Sequence, residues 1–192
     1  MNITPLEIED VIMLTPNRYQ DERGFFSETY NKKCLQGHGL DITFIQDNHS
    51  YSVVKGTIRG LHYQLPPYGQ DKLIRVIHGS IYDVAVDIRE GSKTFGKYVA
   101  ATLSADAGNQ LFVPQGFAHG FITLEANTHV EYKVSNYYSK DHERGICWND
   151  EELNIAWPCD AEDITLNDRD ALFTSLAEAT DLFTITTQDR KS

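Results

Sequence analysis

The sequence predicts a mainly β protein, a sandwich or barrel with few short helices, on three observations. Short runs rich in β-branched and aromatic residues recur along the chain, turn residues separate nearly all of them, and convincing helical periodicity is scarce. No Pro/Gly/Ser-rich linker and no internal repeat interrupts the 192 residues. A chain of this length fits one domain, so we expect a single domain over residues 1–192.

Ten strand-like runs precede residue 135. They are Asp10–Leu14, Phe25–Tyr30, Thr43–Val54, Ile58–Leu65, Lys72–His78, Ile81–Ile88, Tyr98–Leu103, Gln110–Val113, Phe117–Leu124 and His129–Val134. Between Leu73–His78 and Ile81–Ile88, the small residues of Gly79–Ser80 permit the positive φ of a tight turn, which predicts a hairpin.

Alternation within these two runs predicts which side chains share a face. In the first run, Lys72 lies on the same face as Ile74 and Val76, so an inward lysine among apolar neighbours is expected. In the second run, one face carries Tyr82, Val84, Val86 and Ile88. Helical periodicity is confined to Tyr30–Gln36 and Ser175–Phe183, and the tail over residues 174–192 is expected to form a short helix or to fray.

Composition and charge limit the possible partners. The formal net charge of −11 disfavours a broad nucleic-acid or anionic-membrane surface, but a small phosphorylated ligand is compatible with local cations. The three cysteines form no CxxC pair, and no stretch reaches the roughly 18 apolar residues of a membrane span. The first residues lack a basic segment followed by an apolar one, so we expect a cytoplasmic protein.

Two segments that each contain a glycine and a histidine are the first functional signal. In one, Gly56 is followed six positions later by His62 in a strand-like run. In the other, Gly108 precedes a Pro-Gln-Gly-Phe-Ala-His segment that ends at His119. Together they resemble the paired motifs of the cupin jelly roll, in which both histidines lie at the mouth of one barrel. The resemblance implies a cupin-type jelly-roll barrel or sandwich.

The usual metal ligands are missing from these segments. Metal-binding cupins have a second histidine two residues after the first and a nearby glutamate, which together supply three or four ligands. Here Gln64 takes the second position, and the only carboxylate over residues 65–72 is Asp71, next to the cation Lys72. An ammonium group raises the cost of binding a metal. The sequence therefore predicts no metal and no cofactor, and proton transfer by His62 as the use of the site.

Longer segments carry a more specific resemblance. They are Arg23–Glu28, Gln46–Ser50, Arg59–Gln64, Pro114–Phe121 and Asn136–Ile146. These segments resemble the dTDP-4-dehydrorhamnose 3,5-epimerase family, from about residue 5 to residue 173. The family's substrate is dTDP-4-dehydro-6-deoxy-D-glucose, whose C4 ketone acidifies the C–H bonds at C3 and C5. The resemblance implies a cofactor-independent isomerase that inverts both carbons to give dTDP-4-dehydro-L-rhamnose, in L-rhamnose and polysaccharide biosynthesis.

The resemblance also implies catalytic roles. His62 is the base, and Asp170 is the carboxylate that orients it. Tyr132 is the acid on the opposite face, because a phenol with a pKa of about 10 stays protonated at neutral pH. Lys72 is the cation that stabilises the enolate oxygen, and His119 lies beside it as a further hydrogen-bond donor.

Substrate binding is carried over in the same way. Arg23 and Arg59 would bind the diphosphate, because guanidinium groups suit phosphate oxygens, and Tyr138 would stack on thymine. The other expected contacts are Glu28, Gln46, Asp47, Asn48, Glu143 and Arg169. Members of the family form homodimers in which a strand and binding residues cross between subunits, and Arg23 and Glu28 are expected to cross.

The loop that carries Asp170 departs most from the family pattern. Arg169 stands where a lysine is common, and Asn167 stands where a serine is common. A shift of two positions in the register of this loop would make Asp168 the partner of His62 instead. The assigned roles would be unchanged by that shift.

Three other functions are compatible with the sequence. A relative that inverts only C5 or only C3 of a dTDP-4-keto-6-deoxy sugar would keep the same base, acid and cation. A cupin that merely binds a nucleotide sugar would need the cations but not the acid Tyr132. A metal-dependent oxygenase of the cupin type is disfavoured by Gln64.

Overall fold

Two antiparallel sheets face each other in the computed structural model, which describes residues 1–184. In chain order the strands are β1 (Asn2–Pro5), β2 (Ile12–Thr15), β3 (Tyr19–Asp21), β4 (Gly24–Phe26), β5 (Gln46–Ser52), β6 (Ile58–Gln64), β7 (Lys72–His78), β8 (Ser80–Asp87), β9 (Arg89–Glu90), β10 (Tyr98–Ser104), β11 (Gln110–Val113), β12 (Phe117–Thr123), β13 (Thr128–Val134), β14 (Glu143–Gly145) and β15 (Phe183–Thr184). The predicted mainly β sandwich is confirmed.

The sheets differ in size and in strand order. The larger sheet has six strands in the order β1-β2-β11-β7-β13-β5, and the smaller has five in the order β10-β8-β12-β6-β14. Two pairs lie apart from them: the hairpin β3–β4, and the parallel pair of β15 with β9. Strands distant in sequence are therefore neighbours, and β7 and β13 place their inner side chains opposite those of β6, β8 and β12.

Alternation of side chains fills the space between the sheets. Ile74 and Val76 from the larger sheet, and Ile81 and Ala85 from the smaller one, belong to one buried apolar cluster. The interior is thus apolar over most of its length, and burial of this kind stabilises the fold by about 25 cal/mol per Å² of apolar surface. Lys72 lies on the strand face of Ile74 and Val76, as alternation predicts.

The outer face of the smaller sheet has its own apolar cover. Val84, Val86 and Ile88 are fully buried there, and Tyr82 packs against them, which confirms the predicted shared face. The cover comes from residues after β14, including Leu153 and Leu176. The C-terminal segment therefore crosses the back of the sheet that carries β6, and Asp170 reaches the sandwich from this segment.

The predicted hairpin between β7 and β8 is wrong. The two strands belong to opposite sheets, so Gly79 turns the chain around a corner of the sandwich. Gly79 has φ +79°, and a Cβ there would lie 2.5 Å from the Thr128 hydroxyl oxygen. The positive φ was correctly expected, but a short sequence signal does not tell a hairpin turn from a corner, because both need the same backbone freedom.

The helices are shorter than predicted. The first begins at Lys32 rather than at residue 30, since Asn31 caps it by accepting from the Cys34 N–H, and it ends at Gln36. The predicted helix over Ser175–Phe183 is wrong: only the 3₁₀ turn Leu176–Glu178 forms, before the chain extends into β15. The end of the expected helical or frayed tail, residues 185–192, lies outside the described residues.

The remaining strand predictions differ mainly in their bounds. The run over residues 25–30 is the short strand β4, the run over 43–54 narrows to β5, and the first predicted strand is displaced to β2. Predicted strands from residue 58 to residue 134 are confirmed within two residues of their bounds. Within residues 1–184, no helix has the length and apolar character needed to cross a membrane.

Substitution of Gly79 by alanine should destabilise the protein more than the same change at Gly39. Both residues have similar positive φ, +79° and +85°, but only Gly79 has atoms where a Cβ would lie. The backbone term costs about 1–2 kcal/mol at each position, and the contact with Thr128 adds to it at Gly79. Urea unfolding of both variants measures the difference, and equal losses would contradict the corner explanation.

Candidate active site

A cavity of about 320 Å³ opens between the sheets at the end where Lys72 lies. Most of the residues that the sequence singled out line it: Arg59, His62, Lys72, His119, Tyr132, Tyr138, Glu143, Arg169 and Asp170. Ser50, Phe121 and Asn167 complete the lining. An adjoining pocket of about 160 Å³ includes Gln46 and Asn48 in its wall. The structure therefore brings together residues from six strands and from the C-terminal segment.

The two motif histidines come from adjacent strands of the smaller sheet. His62 of β6 and His119 of β12 are direct cross-strand partners. Lys72 and Tyr132 come from adjacent strands of the larger sheet, where Tyr132 pairs with Ile74 and Lys72 with Val134. His62 and Tyr132 therefore enter one cavity from opposite walls.

Asp170 holds His62 in place. Its Oδ1 lies 2.9 Å from Nε2 of His62, and its Oδ2 accepts from the Gly60 N–H at 3.0 Å. The Asp170 side chain is fully buried. Burial alone would raise the pKa of Asp170, but hydrogen bonding and charge from His62, with help from Gly60 and Arg169, hold that pKa below its usual value. Asp170 is therefore an ionised acceptor, and the alternative partner Asp168 is not the residue beside His62.

Local structure explains how Asp170 reaches that position. It begins a 3₁₀ turn over Asp170–Leu172, and its own N–H donates to the Asn167 side chain at 2.7 Å. Phe173 follows this turn and packs edge-on against the His62 ring, with centroids 5.5 Å apart. A Cβ at Gly145 would lie 2.3 Å from the Phe173 ring, so only glycine leaves room for it. One short segment thus supplies both the polar and the apolar support of His62.

Three side chains form a hydrogen-bonded group at the mouth of the cavity. The Glu143 carboxylate accepts from the Tyr138 hydroxyl at 2.8 Å and from Nη1 of Arg169 at 2.7 Å. Arg169 also lies 3.3 Å from the Asp170 carboxylate and from Nε2 of His62. The hydrogen bond to Glu143 is the main reason that the pKa of Tyr138 is raised.

Lys72 is the lysine that lines the cavity, which it shares with the cations Arg59 and Arg169. Its Nζ donates to the His62 carbonyl at 3.3 Å, and no carboxylate within residues 1–184 lies within ion-pair distance of it. Burial lowers its pKa to about 8, while the negative charges of Asp83 and Glu143 act in the opposite direction. Most of the Lys72 side chains therefore remain protonated at neutral pH, as weakly solvated cations.

Tyr132 remains a neutral phenol at neutral pH. Burial is the main cause that raises its pKa, and the Arg59 charge reduces this shift without reversing it. Arg59 itself is held by the Ser52 hydroxyl and by the Tyr51 carbonyl, at 3.2 and 2.9 Å. The phenol can therefore give up a proton only to a strongly basic centre.

His119 has a carboxylate partner that the sequence did not reveal. Its Nε2 lies 2.7 Å from Oδ1 of Asp83, and both side chains are buried. Burial lowers the pKa of His119 more than the nearby Asp83 raises it. Asp83 lies in a strand that reads as apolar, so only its polarity at an inward position could have signalled a role. Phe173 and Gly145 gave no signal of their own.

Three predicted binding residues lie away from the cavity of this chain. Arg23 is exposed in the hairpin β3–β4 and pairs with Asp21 at 2.6 Å. Glu28 accepts from the Asn31 side chain. Asp47 points to the outer face of the larger sheet, where it pairs with Lys133, because alternation along β5 turns it away from Gln46 and Asn48.

The donors in the cavity also bear on metal binding. Residues 1–184 contain no cluster of three or more His, Cys, Asp or Glu side chains placed to hold a metal ion. The two histidines are each bound to a separate carboxylate, and Lys72 lies between the sheets with them. The predicted independence of metals and cofactors stays a prediction.

A cupin-type sandwich with two histidine–carboxylate pairs opposite a lysine and a tyrosine belongs to the class of acid–base enzymes. Comparison with known proteins is more specific. The family model for dTDP-4-dehydrorhamnose 3,5-epimerase matches residues 5–178. The enzyme of that name from Shigella flexneri is 50% identical over 171 residues, covering 88% of this chain and 93% of its own. The chain therefore belongs to the dTDP-4-dehydrorhamnose 3,5-epimerase family.

Two solved structures extend the comparison. The dTDP-6-deoxy-D-glucose-3,5-epimerase of Legionella pneumophila, in complex with dTDP-4-keto-L-rhamnose, is 40% identical with a TM-score of 0.91, covering 96% of this chain and 98% of its own. A 3′-monoepimerase from Streptomyces bikiniensis, in complex with dTDP, is 31% identical with a TM-score of 0.83, covering 91% and 87%. That structure is a double mutant, in which a histidine and a tyrosine are replaced.

Replacement of Lys72 by methionine should raise the free energy of unfolding at neutral pH. The folded state holds this lysine with a pKa of about 8, below its ordinary 10.5, so the charged form is disfavoured on folding. Removal of the ammonium should gain about 1–2 kcal/mol, less than the full shift because the cavity is partly open to solvent. The gain should shrink as pH rises toward 10.5, where the unfolded lysine also loses its charge.

Denaturant unfolding at several pH values measures this effect. Lys133→Met is the matched control, since Lys133 is paired with Asp47 on the outer face of the same sheet. A loss of stability in Lys72→Met at neutral pH would contradict the desolvated state of Lys72.

Proposed function

We propose that this protein inverts C3 and C5 of dTDP-4-dehydro-6-deoxy-D-glucose and so produces dTDP-4-dehydro-L-rhamnose, without a redox step. The observation that carries the proposal is the pair of side chains on opposite walls of one cavity: His62 with its carboxylate Asp170, and Tyr132. The two family members described above act on sugars of this kind by their names. Inversion requires removal of a proton from one face and its return on the other, and this geometry suits it.

His62 is the base in this proposal. With Nε2–H directed at the ionised Asp170, the neutral ring carries its lone pair on Nδ1. When Nδ1 takes a proton from the carbon beside the ketone, Asp170 stabilises the imidazolium that forms. The electrons of the broken C–H bond move onto the C4 oxygen as an enolate.

Lys72 stabilises that enolate. Because it has no carboxylate partner within ion-pair distance among residues 1–184, its charge is not neutralised by a protein anion. In a partly desolvated cavity, such a cation interacts strongly with a developing negative charge. Tyr132 then donates its proton to the carbon from the larger sheet, opposite His62, and the configuration inverts. Each carbon needs one such cycle, and between cycles His62 releases its proton to solvent and the Tyr132 phenolate takes one up.

The nucleotide part of the substrate would lie in the mouth and the adjoining pocket. Arg59 and Arg169 offer guanidinium groups for the diphosphate, and the exposed Tyr138 ring is placed to stack on a base. Gln46 and Asn48 provide amide groups in the adjoining wall. Glu143 fits a different task, which is to hold Tyr138 and Arg169 in position.

The expected homodimer would complete this site. The hairpin β3–β4 exposes Tyr19, Phe25 and Phe26 together with Arg23. Exposed aromatic side chains around a cation form a surface suited to a partner and to a nucleotide. We therefore propose that Arg23 and Glu28 act in the cavity of a second copy. Sedimentation tests this, and a purely monomeric active enzyme would contradict it.

We also propose a cytoplasmic location. The three cysteines Cys34, Cys147 and Cys159 are free thiols, a state that a reducing compartment maintains.

The second candidate function is inversion of one carbon only. The double mutant of the 3′-monoepimerase replaces a histidine and a tyrosine whose separation along the chain equals that of His62 and Tyr132, and this shared spacing favours a single inversion as the second candidate.

Incubation with dTDP-4-dehydro-6-deoxy-D-glucose in deuterated water, after treatment with a chelator, tests the proposal. Proton NMR at C3 and C5 should show deuterium at both carbons. Label at one carbon would reassign the protein as a monoepimerase. Activity that is lost with the chelator and restored by a metal would contradict the metal-free mechanism.

The same assay on two variants tests the residue roles. His62→Ala should lose exchange and turnover by about 10²–10⁴-fold, because no other base takes its place. Tyr132→Phe should still exchange deuterium through His62 but should not invert the carbon. Tyr98→Phe is the control, since Tyr98 packs in the outer apolar cluster. Normal turnover by Tyr132→Phe, with its nucleotide affinity kept, would remove Tyr132 from the acid role.

A further inference from the structure

Asp83 is the buried charge that the proposed mechanism does not use. It lies on β8 between Tyr82 and Val84, its side chain is fully buried, and it does not line the cavity. A carboxylate in an apolar strand is costly unless it is paired or hydrogen-bonded. Its position in the fold therefore calls for a specific partner.

That partner is His119. Oδ1 of Asp83 lies 2.7 Å from Nε2 of His119, whereas Oδ2 is buried with no hydrogen-bond partner among residues 1–184. Asp83 is on β8 and His119 on the neighbouring β12, so two strands of one sheet hold the pair rigidly. Asp83 thus stands behind His119, which itself lines the cavity.

The direction of this hydrogen bond decides what His119 offers to a ligand. An ionised carboxylate only accepts, so Nε2 must carry the hydrogen. In a neutral imidazole the other nitrogen, Nδ1, then has a lone pair and accepts hydrogen bonds. The buried position of His119 favours that neutral form, and the nearby positive charge of Lys72 favours it further. A neutral His119 cannot donate from Nδ1 to an enolate oxygen.

We propose that Asp83 is a positioning residue that fixes His119 as a hydrogen-bond acceptor for a sugar hydroxyl and so leaves the stabilisation of the enolate to Lys72. This inference rests on the proposed function, and it divides the labour between two residues of one pocket. Lys72 stabilises the enolate, while His119 orients the sugar through an O–H that donates to Nδ1. Asp83 touches neither the substrate nor the reacting carbons.

Several charged or titratable groups share the surroundings of Lys72. They are Asp83 on β8, Glu143 on β14, Arg59 and His62 on β6, His119 on β12, Tyr132 on β13, Tyr138 before β14, and Asp170 and Arg169 in the C-terminal segment. Of these, Asp83 and Glu143 are the carboxylates whose charges raise the pKa of Lys72. Loss of the Asp83 charge should therefore lower the pKa of Lys72.

NMR of the histidine imidazole nitrogens tests the tautomer directly, without any substrate. At neutral pH, the signals that disappear in His119→Gln should belong to a ring with a protonated Nε2 and a bare Nδ1. A ring protonated on Nδ1, or on both nitrogens, would overturn the inference. Because this measurement needs no turnover, its failure is distinct from a failure of the proposed epimerase activity.

The kinetics of Asp83→Asn test the effect of Asp83 on turnover. An amide can donate to Nε2 and so favour the opposite tautomer, and kcat should fall about 10- to 100-fold with a smaller change in KM. The alkaline limb of the pH–rate profile should move to lower pH, because a lysine without the Asp83 charge loses its proton earlier. A kcat equal to that of the unsubstituted protein would overturn the role assigned to Asp83.

Asp150→Asn is the matched control. Asp150 is also buried, but it accepts backbone N–H groups of Glu152, Leu153 and Leu176 on the far side of the smaller sheet. It should lower thermal stability without displacing the alkaline limb. An equal displacement in both variants would reduce the Asp83 effect to a general loss of structure.

Discussion

The structure depends on the free-energy cost of placing charges between two apolar sheets. Asp170, Asp83 and Lys72 all enter the interior of the sandwich, where an isolated ion would be unstable. Each carboxylate is held by a histidine from a neighbouring segment, and the lysine lies near both pairs. The strands fix these positions, so each carboxylate keeps a hydrogen-bond partner inside the sandwich. The remainder of the interior is apolar, and burial of this apolar surface holds the two sheets together around the charges.

Much of this arrangement is readable in the sequence, for a definite reason. Side chains alternate along a strand, so the inward direction of Lys72 and the common face of Val84 and Val86 follow from short-range rules. Pairing of strands does not follow from such rules. The turn at Gly79 reads as a hairpin, although the next strand joins the other sheet. That choice depends on which distant strands pack together.

The site residues also divide into those that the sequence predicts and those whose role depends on the packing of distant segments. The motif glycines and histidines, together with the family resemblance, predicted residues that do meet in the cavity, such as His62 and Asp170. Arg23 and Glu28 do not lie in the cavity of their own chain, because the site at which they are expected to act is on a second copy. The sequence does not predict a role for Asp83, because a single carboxylate in an apolar run has no periodic or spacing signal. Its meaning comes only from the histidine that the sheet places against it.

The 3₁₀ turn that begins at Asp170 has a consequence for the order of assembly. Every strand of the two main sheets except β14 ends by residue 134, whereas the supports of His62, namely Asp170 and Phe173, follow far later in the chain. During synthesis on the ribosome, the strands of the two main sheets therefore emerge before the partner of His62. A chain that stops before residue 170 would contain every strand of the two main sheets, but His62 would lack Asp170 and Phe173, and the smaller sheet would lack the part of its apolar cover that includes Leu176. The support of His62 is therefore complete only when nearly the whole chain has been made.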